Sequence, residues 1–420
     1  MNRNWAGNYI YGAAETHAPE NTEQVQELVA GSRIVKVLGS RHSFNGIADT
    51  NGTHISLERL NRVVKLDRER GLVTVEGGIR YGELGSYLHE NGYALRNLAS
   101  LPHISVAGAC ATATHGSGDR NGSLATAVRA IEIVKANGEI IRLSREEAEE
   151  PFAGAVVNLG ALGVVTQLTL EVVPAFEIGQ TVYENLPLGS LQDRERFEAV
   201  FGGGYSVSLF TDWKSSMFNQ VWLKRLHSEE GGESSPSDYF GAMPAKAKMH
   251  PVPGCAADNC SEQMGVAGPW HERLSHFRMD FTPSAGEELQ SEYFVARDNA
   301  YEALCAIDSL RAHISPLLFV SEVRTIASDD LWLSPCRGQD SVGIHFTWKP
   351  EWEAVRQVLP LIEAKLEPLA ARPHWGKLFT MTPGKLQPLY EKLSDFQRLA
   401  AQCDPAGKFR NAFLDQYVLR

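Results

Sequence analysis

No stretch of this 420-residue chain approaches the ~20 consecutive apolar residues that a membrane-spanning helix needs. The opening Met1-Asn2-Arg3-Asn4-Trp5 likewise runs into polar residues with no apolar signal-peptide region. A soluble, cytoplasmic protein is expected. Blocks of Lys/Arg are also missing, and a formal charge of -11 disfavours nucleic-acid phosphates and anionic membranes as partners. A small, mostly neutral ligand and a monomeric chain are expected instead. Cysteine is scarce: of the 6 present, only Cys255 and Cys260 lie close together, and their spacing matches no zinc pattern. Reduced thiols and no metal site follow. The sequence contains no Walker A loop, no His-Glu-x-x-His, no Gly-x-Ser-x-Gly elbow and no Rossmann glycine fingerprint between a strand and a helix. Common hydrolase and NTPase readings lose weight accordingly.

What is present is a globular composition, 43% apolar, on a chain long enough for two or three domains. Asn21 can cap a helix that buries Val25, Leu28 and Val29, with Gln24 reaching back to its start. The β-branched run Ile34 to Leu38 follows, then strands at His54 to Leu57, Val63 to Leu66 and Leu72 to Val75, and a helix from Tyr81 to Glu90 stopped by Asn91-Gly92. Between Ile131 and Leu143 two alternating strands flank Asn137-Gly138, a dipeptide suited to the positive φ angles of a tight hairpin. Pro174 closes the strand Gln167 to Val173 and marks the expected boundary of a first domain. Strands at Tyr205 to Phe210 and Gln220 to Leu223 precede an irregular tract from His227 to Pro269, read either as a rim over a pocket or as surface padding. Strands at Ser291 to Ala296, Leu317 to Thr325 and Ser341 to Trp348 then alternate with helices near Asn299 to Ala312 and Trp352 to Leu369. An α+β chain carrying an antiparallel sheet with helices on one face is expected.

Two loops are crowded with small residues, Val37 to Asn45 and Ser100 to Gly118. Small side chains let backbone N–H groups approach a ligand such as a pyrophosphate, although such stretches also serve plain packing. Together with Asn4-Trp5-Ala6-Gly7-Asn8, Ser100-Leu101-Pro102-His103-Ile104-Ser105-Val106-Ala107-Gly108, Thr114-His115-Gly116-Ser117-Gly118, His374-Trp375-Gly376-Lys377 and Asp404-Pro405-Ala406-Gly407-Lys408-Phe409, they resemble the vanillyl-alcohol oxidase flavoprotein superfamily, and within it the alditol oxidases. Motifs in the family's order span essentially the whole chain. The resemblance implies a two-domain fold: an FAD-binding domain over 1–174, a substrate or cap domain over 175–370, and a segment 371–420 that completes the FAD domain.

The same resemblance implies FAD bonded covalently through His42, whose neutral imidazole is a competent nucleophile near pH 7. The superfamily often has glycine where Arg41 stands, and a positive φ there would strain an arginine. Further residues expected around the cofactor are Val37, Leu38, Gly39, Ser40, Ser43, Ser100, Ser105, Val106, Ala107, Gly108, Ala111, Thr112, Ala113, Thr114, Val165 and His374. On the strands, Glu322 shares a face with Arg324, and His345 with Thr347. Spacing alone favours a buried ion pair and a satisfied core histidine. Alignment with the alditol oxidase pocket, which brings in Lys377, points instead to reaction chemistry. In that reading Arg324 and Lys377 stabilise developing negative charge, His345 is the base, Glu322 orients it or binds hydroxyls, and Ser100 and Thr347 hold further hydroxyls. The implied reaction takes a hydride from a terminal polyol carbon to flavin N5 and passes the electrons to dioxygen, giving hydrogen peroxide. An aldonolactone oxidoreductase of the same superfamily and a flavin-free carbohydrate-binding protein are the alternatives.

Overall fold

A computed structural model describes residues 2–227, 236–281 and 287–420. Asn21 caps the helix Thr22–Gly31 by accepting from the Gln24 backbone N–H, and Val25 and Val29 bury its apolar stripe. Gln24 reaches back one residue further than expected, its Oε1 accepting from the Glu20 N–H. The helix covers a small parallel sheet in which Thr53–Ser56 lies between Glu15–His17 and Val35–Leu38. A five-stranded antiparallel sheet stands beside it, in the order Val63–Asp67, Leu72–Glu76, Val164–Glu171, Val128–Val134, Ile140–Ser144. One apolar core joins these layers, and it also contains Trp375, Phe396, Phe409 and Leu414 from the far end of the chain. The Val35 N–H donates to the Lys408 carbonyl, so the C-terminal segment is hydrogen-bonded to the first domain as well as packed on it.

The second domain is built on a large antiparallel sheet. Its centre runs Glu177–Pro187, Met217–Leu226, Ser206–Thr211, Leu318–Ile326, Ser341–Trp348, Leu289–Ala296. Alternation assigns the faces. Val323, Ile344, Phe346, Trp348, Tyr293 and Val295 meet the helices Arg194–Gly202, Ala300–Asp308 and Trp352–Leu366 in a second core. The opposite face carries the polar residues and is turned toward the first domain.

Three local expectations differ in detail. Only Gly138 takes a positive φ (83°) in the hairpin, because the connection spans Lys135 to Glu139 and Asn137 instead accepts the Glu139 N–H through its side chain. The helix expected over Asn299 to Ala312 divides into Ala300–Asp308 and Arg311–Ile314, the chain tightening where the Leu310 N–H reaches the Ile307 carbonyl. The tract from His227 to Pro269 carries short elements at Met243–Pro244, Ala257–Asn259 and Gly268–Pro269; its residues 228–235 lie outside the described residues. The 6 cysteines are free thiols, Cys255 and Cys305 exposed and the others buried. Among the described residues no helix is long and apolar enough to cross a membrane.

Candidate active site

The small-residue loops meet at a cleft enclosing about 1700 Å³, part of it open to solvent. Ser40 and Ser105 tie the loops together: the Ser105 N–H donates to Ser40 Oγ at 3.0 Å, and the Ser40 N–H points back to Ser105 Oγ at 3.4 Å. The approach depends on glycine, since a Cβ at Gly39 would sit 2.7 Å, and one at Gly108 2.8 Å, from that same Oγ. The N-terminal motif clamps the first loop from outside, with Asn4 donating to the Ser43 carbonyl, Asn8 to the Phe44 carbonyl, and the Trp5 N–H to the Arg41 carbonyl. Arg41 adopts φ 64°, the left-handed region in which its side chain is strained.

Of the residues expected around a cofactor, Val37 to Ser43, Ser100, Ala107, Gly108, Ala111, Thr112, Thr114, Val165 and His374 line the cleft. Ser105, Val106 and Ala113 sit just behind it. Ser105 braces the loops, Val106 belongs to the apolar core, and Ala113 turns the chain with φ 54°. The amides of Val106 and Ala107 donate to the Ile79 and Gly77 carbonyls, so neither is left for a phosphate.

His42 is the orphan of this wall. Its ring is buried in parallel contact with Trp5, centroids 5.4 Å apart, and neither nitrogen has a hydrogen-bond partner. Burial, and secondarily the nearby His103, push its pKa down to about 4, so the ring is neutral. The Ser40 backbone opposes that shift while remaining outside hydrogen-bond geometry. Buried nitrogens without partners are costly unless a ligand engages them, and a cradle of small residues around a neutral imidazole fits a flavin.

The facing wall is the polar side of the large sheet. Register sets Phe210, Glu322, His345 and Glu292 side by side across four strands. The next row pairs Arg324 with Gly343 and Gly343 with Phe294. Because Gly343 has no side chain, the Arg324 guanidinium can cross its strand to reach Glu292, Nη2 to Oε1 at 2.9 Å. Glu292, fully buried, also takes Lys377 Nζ at 2.5 Å and His115 Nε2 at 3.1 Å. Burial raises its pKa, but Lys377, His115 and Arg324 outweigh burial and hold the carboxyl well below its ordinary range. Lys377 also donates to His345 Nδ1 at 2.9 Å, which leaves Nε2–H to donate to Thr347 Oγ1 at 3.1 Å. Burial and the Lys377 charge push His345 down to about 4. Ser100 Oγ accepts from Arg324 Nη1 at 3.2 Å, joining the second loop to this wall.

Glu322 is placed differently from the sequence expectation. Its Oε1 meets His276 Nε2 at 2.7 Å and Arg324 Nε at 3.5 Å, while His345 is held by Lys377 and Thr347. Glu322 therefore does not orient His345 in this arrangement. Sequence reasoning missed Glu292, His115 and His276. Glu292 carried the signal that singled out Glu322, a charge inside an apolar strand; His276 lies in a loop and carried none. Asn45 closes the site by donating to the Trp375 and Lys377 carbonyls, which fixes the lysine beside the His42 loop.

Fold and cleft together define a two-domain FAD-dependent oxidoreductase. An FAD binding domain model matches residues 14–144, and a D-arabinono-1,4-lactone oxidase model matches residues 282–417. Among solved structures, cholesterol oxidase from B. sterolicum superposes with TM-score 0.79 at 15% identity, covering 99% of this chain and 96% of that one, a likeness of fold alone. An alditol oxidase from Streptomyces sp. is 49% identical over 98% of this chain and 97% of its own length. An L-gulono-1,4-lactone dehydrogenase from Mycobacterium tuberculosis is 28% identical over 98% and 97%, and the Bos taurus L-gulonolactone oxidase 27% over 99% and 97%. The chain belongs to the alditol oxidase family of the vanillyl-alcohol oxidase flavoprotein superfamily.

Proposed function

We propose that the protein oxidises the terminal hydroxyl of alditols such as xylitol and sorbitol to the aldose, with FAD attached covalently through His42. The observation that carries this reading is the facing of an unpartnered, neutral His42 by a buried array of Arg324, Lys377, Glu292 and His345 across one cleft. FAD, when bound, supplies the two-electron acceptor for the carbinol hydride, and dioxygen takes those electrons on as hydrogen peroxide. The chain's own residues do the rest. Arg324 and Lys377, both buried in the cleft wall, stabilise the negative charge that grows on the alcohol oxygen as its proton leaves. His345 receives that proton at Nδ1 once the substrate hydroxyl replaces Lys377 there, and a weak base suffices because an alcohol losing a hydride becomes strongly acidic. Thr347 holds the imidazole from the other side. Glu322, Ser100 and Thr347 bind the remaining hydroxyls, and their placement selects the terminal carbon among several similar alcohols. Relatives named for lactones that match over nearly the whole chain are 26–28% identical, against 49% for the alditol oxidase, which favours the polyol over an aldonolactone.

Anaerobic addition of xylitol should bleach the visible flavin band, and air should restore it with peroxide formed. Bleaching by an aldonolactone but not by xylitol would overturn the substrate. Acid-precipitated parent protein should remain yellow while His42→Ala gives up its flavin to the supernatant; flavin released from the parent would remove the covalent bond.

A further inference from the structure

We propose that Lys224 and His276 are positioning residues that fix Glu322 as an obligate hydrogen-bond acceptor, so that the ligand group bound against it is a hydroxyl rather than a carbonyl or carboxylate. The inference rests on the polyol reading above and sharpens its substrate class. Lys224 is fully buried on the strand Met217–Leu226. Its Nζ donates to the Leu274 carbonyl at 2.5 Å and the Ser275 carbonyl at 3.4 Å, and its third contact is His276 Nδ1 at 3.3 Å. Burial lowers the Lys224 pKa to about 7 against the opposing pull of Glu322. In its ammonium form the side chain has only protons to offer, so Nδ1 accepts and the ring proton sits on Nε2. That proton points at Glu322 Oε1, 2.7 Å away, and Arg324 Nε approaches the same oxygen at 3.5 Å.

Packing and anchoring hold the ring in this orientation. Phe210 and Trp222 meet it edge to face, with centroids 5.5 Å and 5.1 Å away. The backbone N–H groups of His276 and Phe277 both donate to the Ser100 carbonyl, which anchors the loop. A reversed tautomer would set N–H against ammonium at one end and a lone pair against a carboxylate at the other. The charged and titratable groups around this chain are Lys224, Cys260, Glu322, Arg324 and His345. Burial, opposed by Glu322, keeps the imidazole neutral, and Arg324 with His276 holds Glu322 ionised against its own burial.

A carboxylate locked in this state offers only lone pairs. A polyol hydroxyl supplies the matching proton, whereas a lactone carbonyl or an aldonate carboxylate would set lone pair against lone pair at a buried charge. Specificity built on a polar group that the wrong ligand leaves unpaired is stronger than specificity built on shape.

The test uses the flavin-loaded enzyme with His276→Gln, His276→Leu and Lys224→Met, reading KM and kcat for xylitol and competitive inhibition by the matching aldonate. Gln keeps an N–H near the Nε2 position, and Leu keeps bulk without a donor. We expect His276→Leu to raise KM by about 10- to 100-fold, the worth of a hydrogen bond to a charged group, with a smaller loss in kcat. His276→Gln should restore most of the affinity. In His276→Leu and Lys224→Met the aldonate should bind more tightly relative to xylitol than in the parent. Equal losses for Gln and Leu, or unchanged KM and aldonate discrimination in Leu and Met, would overturn the proposal. A parent enzyme that fails to oxidise xylitol would instead remove the polyol reading itself, so the two failures are distinct.

Discussion

The two walls of the cleft solve opposite problems. The wall that includes Gly39 to Ser43 and Ala107 to Thr114 is shaped mainly by the absence of side chains, and its one conspicuous polar ring, His42, is neutral and unpartnered. The wall formed by the large sheet is crowded with charge, and every charged member has an opposite within reach. One wall accommodates a large group by yielding space. The other acts on a small group through a preorganised field, which survives burial only because Glu292 neutralises the cations around it.

The comparison is broken most severely by deleting the field. Arg324→Ala or Lys377→Met should slow anaerobic flavin reduction by ~10³-fold or more, with the protein still yellow after acid precipitation. Stopped-flow traces matching the parent would remove those residues from the chemistry. Next in size is Glu292→Gln, which leaves Arg324 and Lys377 without their shared carboxylate and should cost about 3–5 kcal/mol of stability in denaturant melts. Acid should attack the same wall. His276 and His345 are each held near a pKa of about 4 against an ordinary value of 6.5, so between those values the unfolded chain binds more protons than the folded one. Stability is therefore full above pH 6.5 and falls toward pH 4, by roughly 3 kcal/mol per ring; a melting temperature flat across that window would contradict the assignment. The smallest effect belongs to the other wall. Gly39→Ala forces a Cβ against Ser105 Oγ and should cost ~1–3 kcal/mol, seen as reduced flavin occupancy with the cap domain's fold unchanged by circular dichroism.

The walls also differed in how well the sequence disclosed them. Local chemistry was readable: Asn21 announces its helix, Tyr81–Glu90 ends where Asn91-Gly92 stops it, and Ser341–Trp348 matches its apolar alternation. The small-residue loops were legible because so few side chains fit there. The charged wall was legible in part, through charges on apolar strands at Glu322, Arg324 and His345. Glu292 carried the same signal, yet its importance depends on Gly343 opening a path between strands, and register across four strands is not written in any one of them. His276 was invisible for a different reason: its place beside Glu322 comes from a loop whose route is set by contacts to Ser100 and Lys224.

The hydrogen bond from Val35 to Lys408, reinforced by Lys36 donating to the Phe409 carbonyl, dictates an order of assembly. During biosynthesis the first flavin-domain layers leave the ribosome well ahead of their closing partner, since Phe409 lies 373 residues beyond Lys36. The inserted sheet and its helices can consolidate while the cradle still lacks that distant segment, so the cradle closes only once residues 408 and 409 have returned to it.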